Sequence, residues 1–418
     1  MTIDFLRAYE ILDSRGRPTV EVYLRLKSGG EVTASIPSGA SRGLAEAAEL
    51  RDSNPDRFNG MGVQRAVYHI NGLIAPALEG HPCDVVAIDG LLVTLDGTQK
   101  KERLGANAIL PVSMAIARAQ AKVHGMPLYV LLQQLLGAEE VALPYCLFNI
   151  LNGGIHANSG LAIQEFMIVP RKFQSVSELL SVATDVYESL RRELVALGLS
   201  TAVGDEGGFA PVFTDTGFDK ERRALDLVVK AITGAGYKLE DVSIALDVAV
   251  SQFYNKKADR YDFYGTSYDH EALIEVYDEF ARNYPIISIE DGMHENDMKG
   301  WQLLTKALGA DLQLVGDDVF VTHVDKIQEG VDKGVANAVL IKPNQVGTVT
   351  ETLAAIAVAQ ENQYSVIVSH RSGETNDDFI VDLAVGSNAG QLKAGAPVRG
   401  ERVAKYNRML AIERDFLP

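Results

Sequence analysis

At 418 residues the chain is too long for one small core, and its length predicts two or three domains, or a barrel of about 250 residues with a smaller companion. With 47% hydrophobic and 23% charged residues it has an ordinary globular composition, and its net charge of −17 argues against nucleic acid or an acidic membrane as partner. Cys83 and Cys146 lack disulfide or zinc spacing, the N-terminus lacks a signal peptide's apolar run, and no stretch reaches the roughly 18 apolar residues of a membrane span. A reducing, cytoplasmic setting is therefore expected.

The first 30 residues alternate as a hairpin, "FLRAYEILDSR" followed by "PTVEVYLRLKSG". "SIPSGASRG" (35–43) is built from small residues and predicts a mobile loop whose bare N–H groups suit an anion, with Arg42 inside it. From Gly43 to about Leu136 the pattern is helical, in "GLAEAAELRD" and in "ANAILPVSMAIARAQAKVHGM", where Pro111 is tolerable only near the first turn. Residues 1–136 read as an α+β domain, and "GAEEVALPY" (137–145) as the linker that ends it.

Within 137–418, short apolar runs alternate with helical segments of 15 to 20 residues. The runs are "IQEFMIVP" (163–170), "TAVGDE" (201–206), "SIALDV" (243–248), "IISIED" (286–291), "LQLVGDD" (312–318), "AVLIKP" (338–343), "YSVIVSH" (364–370) and "AGQLKAG" (389–395). Eight strands spaced by helices predict an α/β fold, a parallel sheet closed into a barrel.

Asp247, Glu290, Asp317, Lys342, His370 and Lys393 each close one of these runs, and barrel geometry would gather them at one mouth. Three like charges about 4 Å apart, at an effective dielectric near 20, cost on the order of 4 kcal/mol per pair. Either some are protonated, or they bind a cation, or they are unrelated turn carboxylates. For an all-oxygen set the fitting cation is Mg²⁺. Lys342 and Lys393 are either ion-pair partners of these carboxylates or, with a lowered pKa, a general base. "VSHRSGE" (368–374) offers Arg371 and Ser372 as an anion clamp, "VGDEGGF" (203–209) holds Glu206 in a tight turn, and "NGGIHANSG" (152–160) carries His156.

Over essentially its whole length the chain resembles the enolase family, through "EILDSRG", "PSGAS", "ELRD", "LDGT", "LGANAIL", "NGGIHA", "QEFMIVP", "AVGDEGGFAP", "SIALDVA", "PIISIED", "LVGDD", "IKPNQVGT", "SHRSGET" and "VAKYN". The resemblance implies an N-terminal α+β domain and a β/α barrel whose first strands depart from simple alternation. It implies dehydration of 2-phosphoglycerate to phosphoenolpyruvate with two Mg²⁺ per active site, one held by Asp247, Glu290 and Asp317 and the other by Ser41. Lys342 would take the C2 proton, Glu206 supported by Glu165 would protonate the leaving hydroxyl, and Lys393 would stabilise the developing charge. Arg371 and Ser372 would bind phosphate, with Gln164, His156 and His370 lining the site. A homodimer or higher homo-oligomer is implied, formed through the N-terminal domain, with Arg15 and Glu21 as cross-subunit candidates.

The chain departs from the family pattern at Arg42, Pro111, Val212, Gln252, Ala394, Gly400 and Glu401. Arg42 motivates an alternative, a relative acting on a more anionic phospho or phosphono substrate in the manner of carboxyphosphonoenolpyruvate synthase, with Arg42 contacting that substrate. A non-catalytic binding protein is the third reading.

Overall fold

The computed structural model describes residues 1–39, 43 and 45–416. The expected hairpin is present as β1 (Ile3–Leu12) and β2 (Pro18–Leu26), extended by β3 (Glu31–Ser35) into an antiparallel meander. Period-two alternation turns Val20, Val22, Leu24 and Leu26 inward, where they are at most 2% exposed and back onto the helix Ala106–His124. That helix ends at Gly125, whose φ of 66° supplies the left-handed cap.

Two expectations for this region change. Pro111 lies at the sixth helical position, past the first turn, where it forfeits one backbone hydrogen bond. The helix tolerates this because it is buried between the small sheet and the barrel turn Pro343–Gln345. "GLAEAAELRD" forms no helix among its described residues. Its backbone is instead spent on other elements: Ala47 N–H donates to the Gln345 carbonyl at 2.8 Å, Ala48 to Lys100 at 2.7 Å, and Leu50 to Asn107 Oδ1 at 2.9 Å. Tertiary bonds override a weak helical propensity.

The barrel closes through β4 (Tyr145–Asn152), β5 (Glu165–Pro170) and β6 (Val242–Asp247). A small three-stranded sheet, β7 (Tyr254–Asn255), β8 (Arg260–Phe263) and β9 (Thr266–Tyr268), interrupts it. It resumes as β10 (Ile286–Glu290), β11 (Gln313–Gly316), β12 (Ala338–Ile341), β13 (Ser365–Ser369) and β14 (Gly390–Lys393). There are eight barrel strands, but not the eight expected. β5 is antiparallel to both β4 and β6, so the sheet is mixed. The first strand is 145–152, which begins where the linker was expected to end, and 201–206 is a loop rather than a strand. Gly204 donates to the Gly208 carbonyl at 2.8 Å, folding that loop back on itself. Gly207 has a φ of 89°, and a Cβ on it would lie 2.9 Å from Ala396, so the paired glycines are required there.

Inside the barrel, Leu147, Met167, Val169, Ala245, Val315, Ala338, Leu340 and Ile367 fill the cross-section. Above this plug the inward positions turn polar at the C-terminal ends of the parallel strands. Both cysteines are buried and free, and among the described residues no helix is long and apolar enough to cross a membrane.

Arg118, on the long helix, clamps the N-terminal elements to the barrel. Its guanidinium donates to Asp377 at 2.6 and 2.8 Å, to Asp378 at 2.9 Å and to the Thr33 carbonyl at 2.9 Å. Burial pushes the Asp377 carboxyl up, but Arg118 outweighs it and holds the pKa below its ordinary value. A depressed folded-state pKa contributes stability at neutral pH that is lost as pH falls through it. Arg118→Ala should cost about 3 kcal/mol of unfolding free energy at pH 7, measured by urea denaturation, and the gap from the parent should shrink below about pH 4.

Candidate functional site

Neighbouring parallel strands deliver the expected carboxylates to one mouth. Glu290 on β10 is in register with Asp247 on β6, and Asp317 follows β11 directly. Lys393, ending β14, reaches across the barrel. Its Nζ lies 3.0 Å from Asp247 Oδ2, 2.9 Å from Glu290 Oε2 and 3.1 Å from Glu165 Oε1. Burial disfavours this ammonium, yet Asp247, Glu165 and Glu290 hold its pKa well above the ordinary value. Lys393 is therefore a fixed positive charge. Gln164 Nε2 donates to Asp247 Oδ2 at 3.2 Å from the head of β5.

Lys342, just past β12, pairs with Asp317 Oδ2. Burial opposes its charge and Asp317 favours it, leaving the pKa raised. Of the two roles the sequence left open, this arrangement shows the ion pair and not the lowered pKa of a general base. The difference lies in Asp317, which faces the lysine here; with Asp317 turned to a cation, the interaction that favours the ammonium is withdrawn. Gln345 Nε2 donates to Asp317 Oδ1 at 3.0 Å and steadies it from behind.

Glu206 rides on the glycine loop, where its carbonyl accepts from Ala396 N–H at 3.0 Å and its Oε2 accepts from Asn149 Nδ2 at 3.0 Å. Carboxylate oxygens of Glu206 and Glu165 and a ring nitrogen of His370 all lie within 4.8 Å of one another. Burial and then the Glu206 charge push the Glu165 carboxyl well up, so this pair readily holds a proton between its members. Burial pushes the His370 pKa well down, so the ring is neutral. Its Nδ1 accepts from Arg402 Nη1 at 2.6 Å, which puts the N–H on Nε2, 3.8 Å from Glu206 Oε2.

Arg371 and Ser372 follow β13 on the same mouth. The C-terminal helix Gly400–Phe416 supports them from behind. Arg402, fully buried, donates to the carbonyls of Arg371 at 2.8 Å and Ser372 at 2.7 Å. Lys405 holds Glu374 Oε2 at 2.7 Å, while Glu374 Oε1 accepts from the Arg371 N–H at 3.0 Å. The N-terminal domain closes the other side: Ser38 and Gly373 exchange backbone bonds at 2.7 and 3.0 Å. Glu46 meets the Arg371 guanidinium with both oxygens, at 3.2 and 3.3 Å.

The mouth is thus lined by Glu165, Glu206, Asp247, Asp291, Asp317 and Asp318, six carboxyl groups against the three cations Lys342, Arg371 and Lys393. Glu290 joins them through Lys393. Burial, then Asp247, pushes Glu290 up to about 8, and burial, then Asp317, pushes Asp318 up to about 7. Glu165 Oε2 is buried without a hydrogen-bond partner. Surplus buried carboxylate, all of it oxygen, fits a hard divalent cation, with Asp247, Glu290 and Asp317 as the side chains to hold it. A larger cavity of about 560 Å³ lies at the opposite end of the barrel, among the strand beginnings, but has no such cluster among the described residues.

The structure therefore brings together Lys342, Lys393, Glu165, Glu206, Gln164, His370, Arg371, Ser372, Asp247, Glu290 and Asp317. Ser41, Arg42 and the side chain of His156 lie outside the described residues. Arg15, expected to face another subunit, donates within its own chain to the carbonyls of Ser38 at 3.1 Å and Gly39 at 3.0 Å. Glu21 is half-buried on β2. The sequence reading missed Asp291, Asp318, Glu46 and Arg402. Asp291 and Asp318 sit beside expected ligands in "IISIED" and "LVGDD", so the doubled carboxyls were a visible signal. Arg402 gave none, because a helix arginine reads as a surface residue.

Two protein-family models match the chain: "Enolase, N-terminal domain" over residues 3–132 and "Enolase, C-terminal TIM barrel domain" over 140–417. A protein named Enolase from a Nitratiruptor species is 48% identical over 419 residues, covering 99% of this chain and 97% of that protein.

A divalent cation at the three strand ends should stabilise the fold by about 2.7 kcal/mol at a hundredfold excess over its Kd. Thermal unfolding with and without MgCl₂ should show this as a rise in midpoint. Glu290→Gln should lose most of that rise.

Proposed function

The chain belongs to the enolase family, and it is a hydro-lyase of the phosphopyruvate hydratase kind; on that premise we propose that it dehydrates 2-phosphoglycerate to phosphoenolpyruvate with Mg²⁺. The observation that carries this reading is the pairing of functions at one mouth. A partly buried lysine, Lys342, and a buried carboxyl pair that can hold a proton, Glu165 with Glu206, share the pocket with a cation-poor carboxylate cluster. Removing a proton α to an ionised carboxylate and expelling a neighbouring hydroxyl needs a base, an acid and positive charge together.

Arg371, braced by Glu46, Asn344 and the Arg402-held carbonyls, binds the substrate phosphate together with Ser372. This sets C2 against Lys342 and the C3 hydroxyl against Glu206. Bound Mg²⁺, held by Asp247, Glu290 and Asp317, would supply the positive charge that offsets negative charge building on the substrate carboxylate. With Asp317 committed to the cation, Lys342 loses the contact that favours its ammonium and can take the C2 proton on Nζ. Lys393, kept cationic by three carboxylates, stays as a fixed charge and does not compete as base. Glu206 then gives its proton to the departing hydroxyl, a proton that the neighbouring Glu165 carboxyl favours within the pair until then.

Phosphoenolpyruvate formation from 2-phosphoglycerate with Mg²⁺, followed by absorbance, should proceed at about 10 s⁻¹ or faster. Glu206→Gln removes the acid and should lower kcat by roughly 10²–10⁴, with KM little changed. Failure of the parent to turn over 2-phosphoglycerate, or full activity in Glu206→Gln, would overturn the proposal.

A further inference from the structure

A second cavity, of about 270 Å³, lies where the N-terminal domain meets the barrel. Lys100 and Lys101 come from the loop before the long helix. His323 and Lys326 follow β11, and Gln345 and Glu351 follow β12. Domain interfaces are a common setting for ligand sites.

Its electrostatics run against the rest of the molecule. The chain carries a net charge of −17, yet here three lysines face two carboxylates, Asp325 and Glu351. The Lys101 side chain is 4% exposed and its ammonium, with three donors, has one acceptor among the described residues, Glu351 Oε1 at 2.6 Å. Lys326 makes no side-chain hydrogen bond or ion pair among the described residues. Nδ1 of His323 is buried without a hydrogen-bond partner. Unused donors on two separate elements converge on one space, and a buried ammonium with spare donors calls for acceptors beyond the one Glu351 provides.

We propose that this cavity is an anion site, distinct from the catalytic mouth, for a small phosphate-bearing molecule. A phosphate group brings nearly two negative charges and three acceptor oxygens, which match the lysine donors better than a single carboxylate does. The volume is just below the roughly 300–1,000 Å³ of sites for drug-sized ligands, which limits the occupant to a phosphate with a small organic remainder. Gln345 forms part of the wall and also touches the catalytic side: its Nε2 donates to Asp317 Oδ1 at 3.0 Å and to Glu46 Oε1 at 3.3 Å. An anion drawn in beside Gln345 therefore bears on the residue that positions Asp317. The effect of the site on turnover rests on the catalytic reading above; the existence of the site does not.

The test is calorimetric titration of the Mg²⁺-supplemented protein with inorganic phosphate, in the parent, Lys326→Glu, the milder Lys326→Gln, and Arg371→Ala. The parent should show two classes of site. Both Lys326 variants should weaken one class, at least tenfold in Lys326→Glu, while phosphate-free turnover of 2-phosphoglycerate is unchanged. Arg371→Ala should remove the other class. The proposal is overturned if both Lys326 variants titrate like the parent, or if the parent shows one class and Arg371→Ala abolishes it. Two classes persisting in Arg371→Ala, with one lost in the Lys326 variants, would support the second site and count against the phosphate role of Arg371.

Discussion

The constraint on which the rest of this structure depends is the burial of more negative charge than its own cations can neutralise. Six carboxyl groups line one barrel mouth with two lysines and an arginine. Each unshielded like-charge pair at about 4 Å costs on the order of 4 kcal/mol at an effective dielectric near 20. The protein meets part of that cost by placing Lys393 among three carboxylates and by letting the most crowded carboxyls, Glu165 and Asp291 among them, hold protons. The remainder is an unmet demand for positive charge, and that demand suits the site to a divalent cation.

Keeping such a cluster in place requires a stiff surround, and both ends of the chain contribute to it. The C-terminal helix sends Arg402 and Lys405 under the loop that carries His370, Arg371 and Ser372, so that the backbone carbonyls of that loop are tied down. The N-terminal domain approaches from outside through Ser38, Glu46 and the Arg118 clamp. Backbone strain accompanies this. Asp291 and Ala249, both beside the mouth, sit at φ of 45° and 47°, conformations that non-glycine residues adopt only when their surroundings fix them.

Much of this was legible in the sequence because charged residues closing successive apolar runs become neighbours once a barrel forms. The rule located Asp247, Glu290, Asp317, Lys342, His370 and Lys393. It failed where local pattern and tertiary demand diverge. "TAVGDE" has a strand's alternation but is followed by glycines that fold it into a loop, and the true first strand lay hidden behind a proline-containing linker reading. "GLAEAAELRD" has helical composition, yet its backbone bonds go to Gln345, Lys100 and Asn107, so Glu46 escaped notice as a partner for Arg371. Glu46 and Arg371 are 325 residues apart, and no local pattern connects them.

The central claim is that Lys342 removes the C2 proton while Glu206 acts later, on the leaving hydroxyl. Exchange of the C2 hydrogen of 2-phosphoglycerate with solvent deuterium, followed by NMR in the presence of Mg²⁺, separates the two steps. The account predicts that Glu206→Gln still exchanges C2 hydrogen while forming little phosphoenolpyruvate, and that Lys342→Ala does neither. Exchange that survives in Lys342→Ala but vanishes in Glu206→Gln would contradict it.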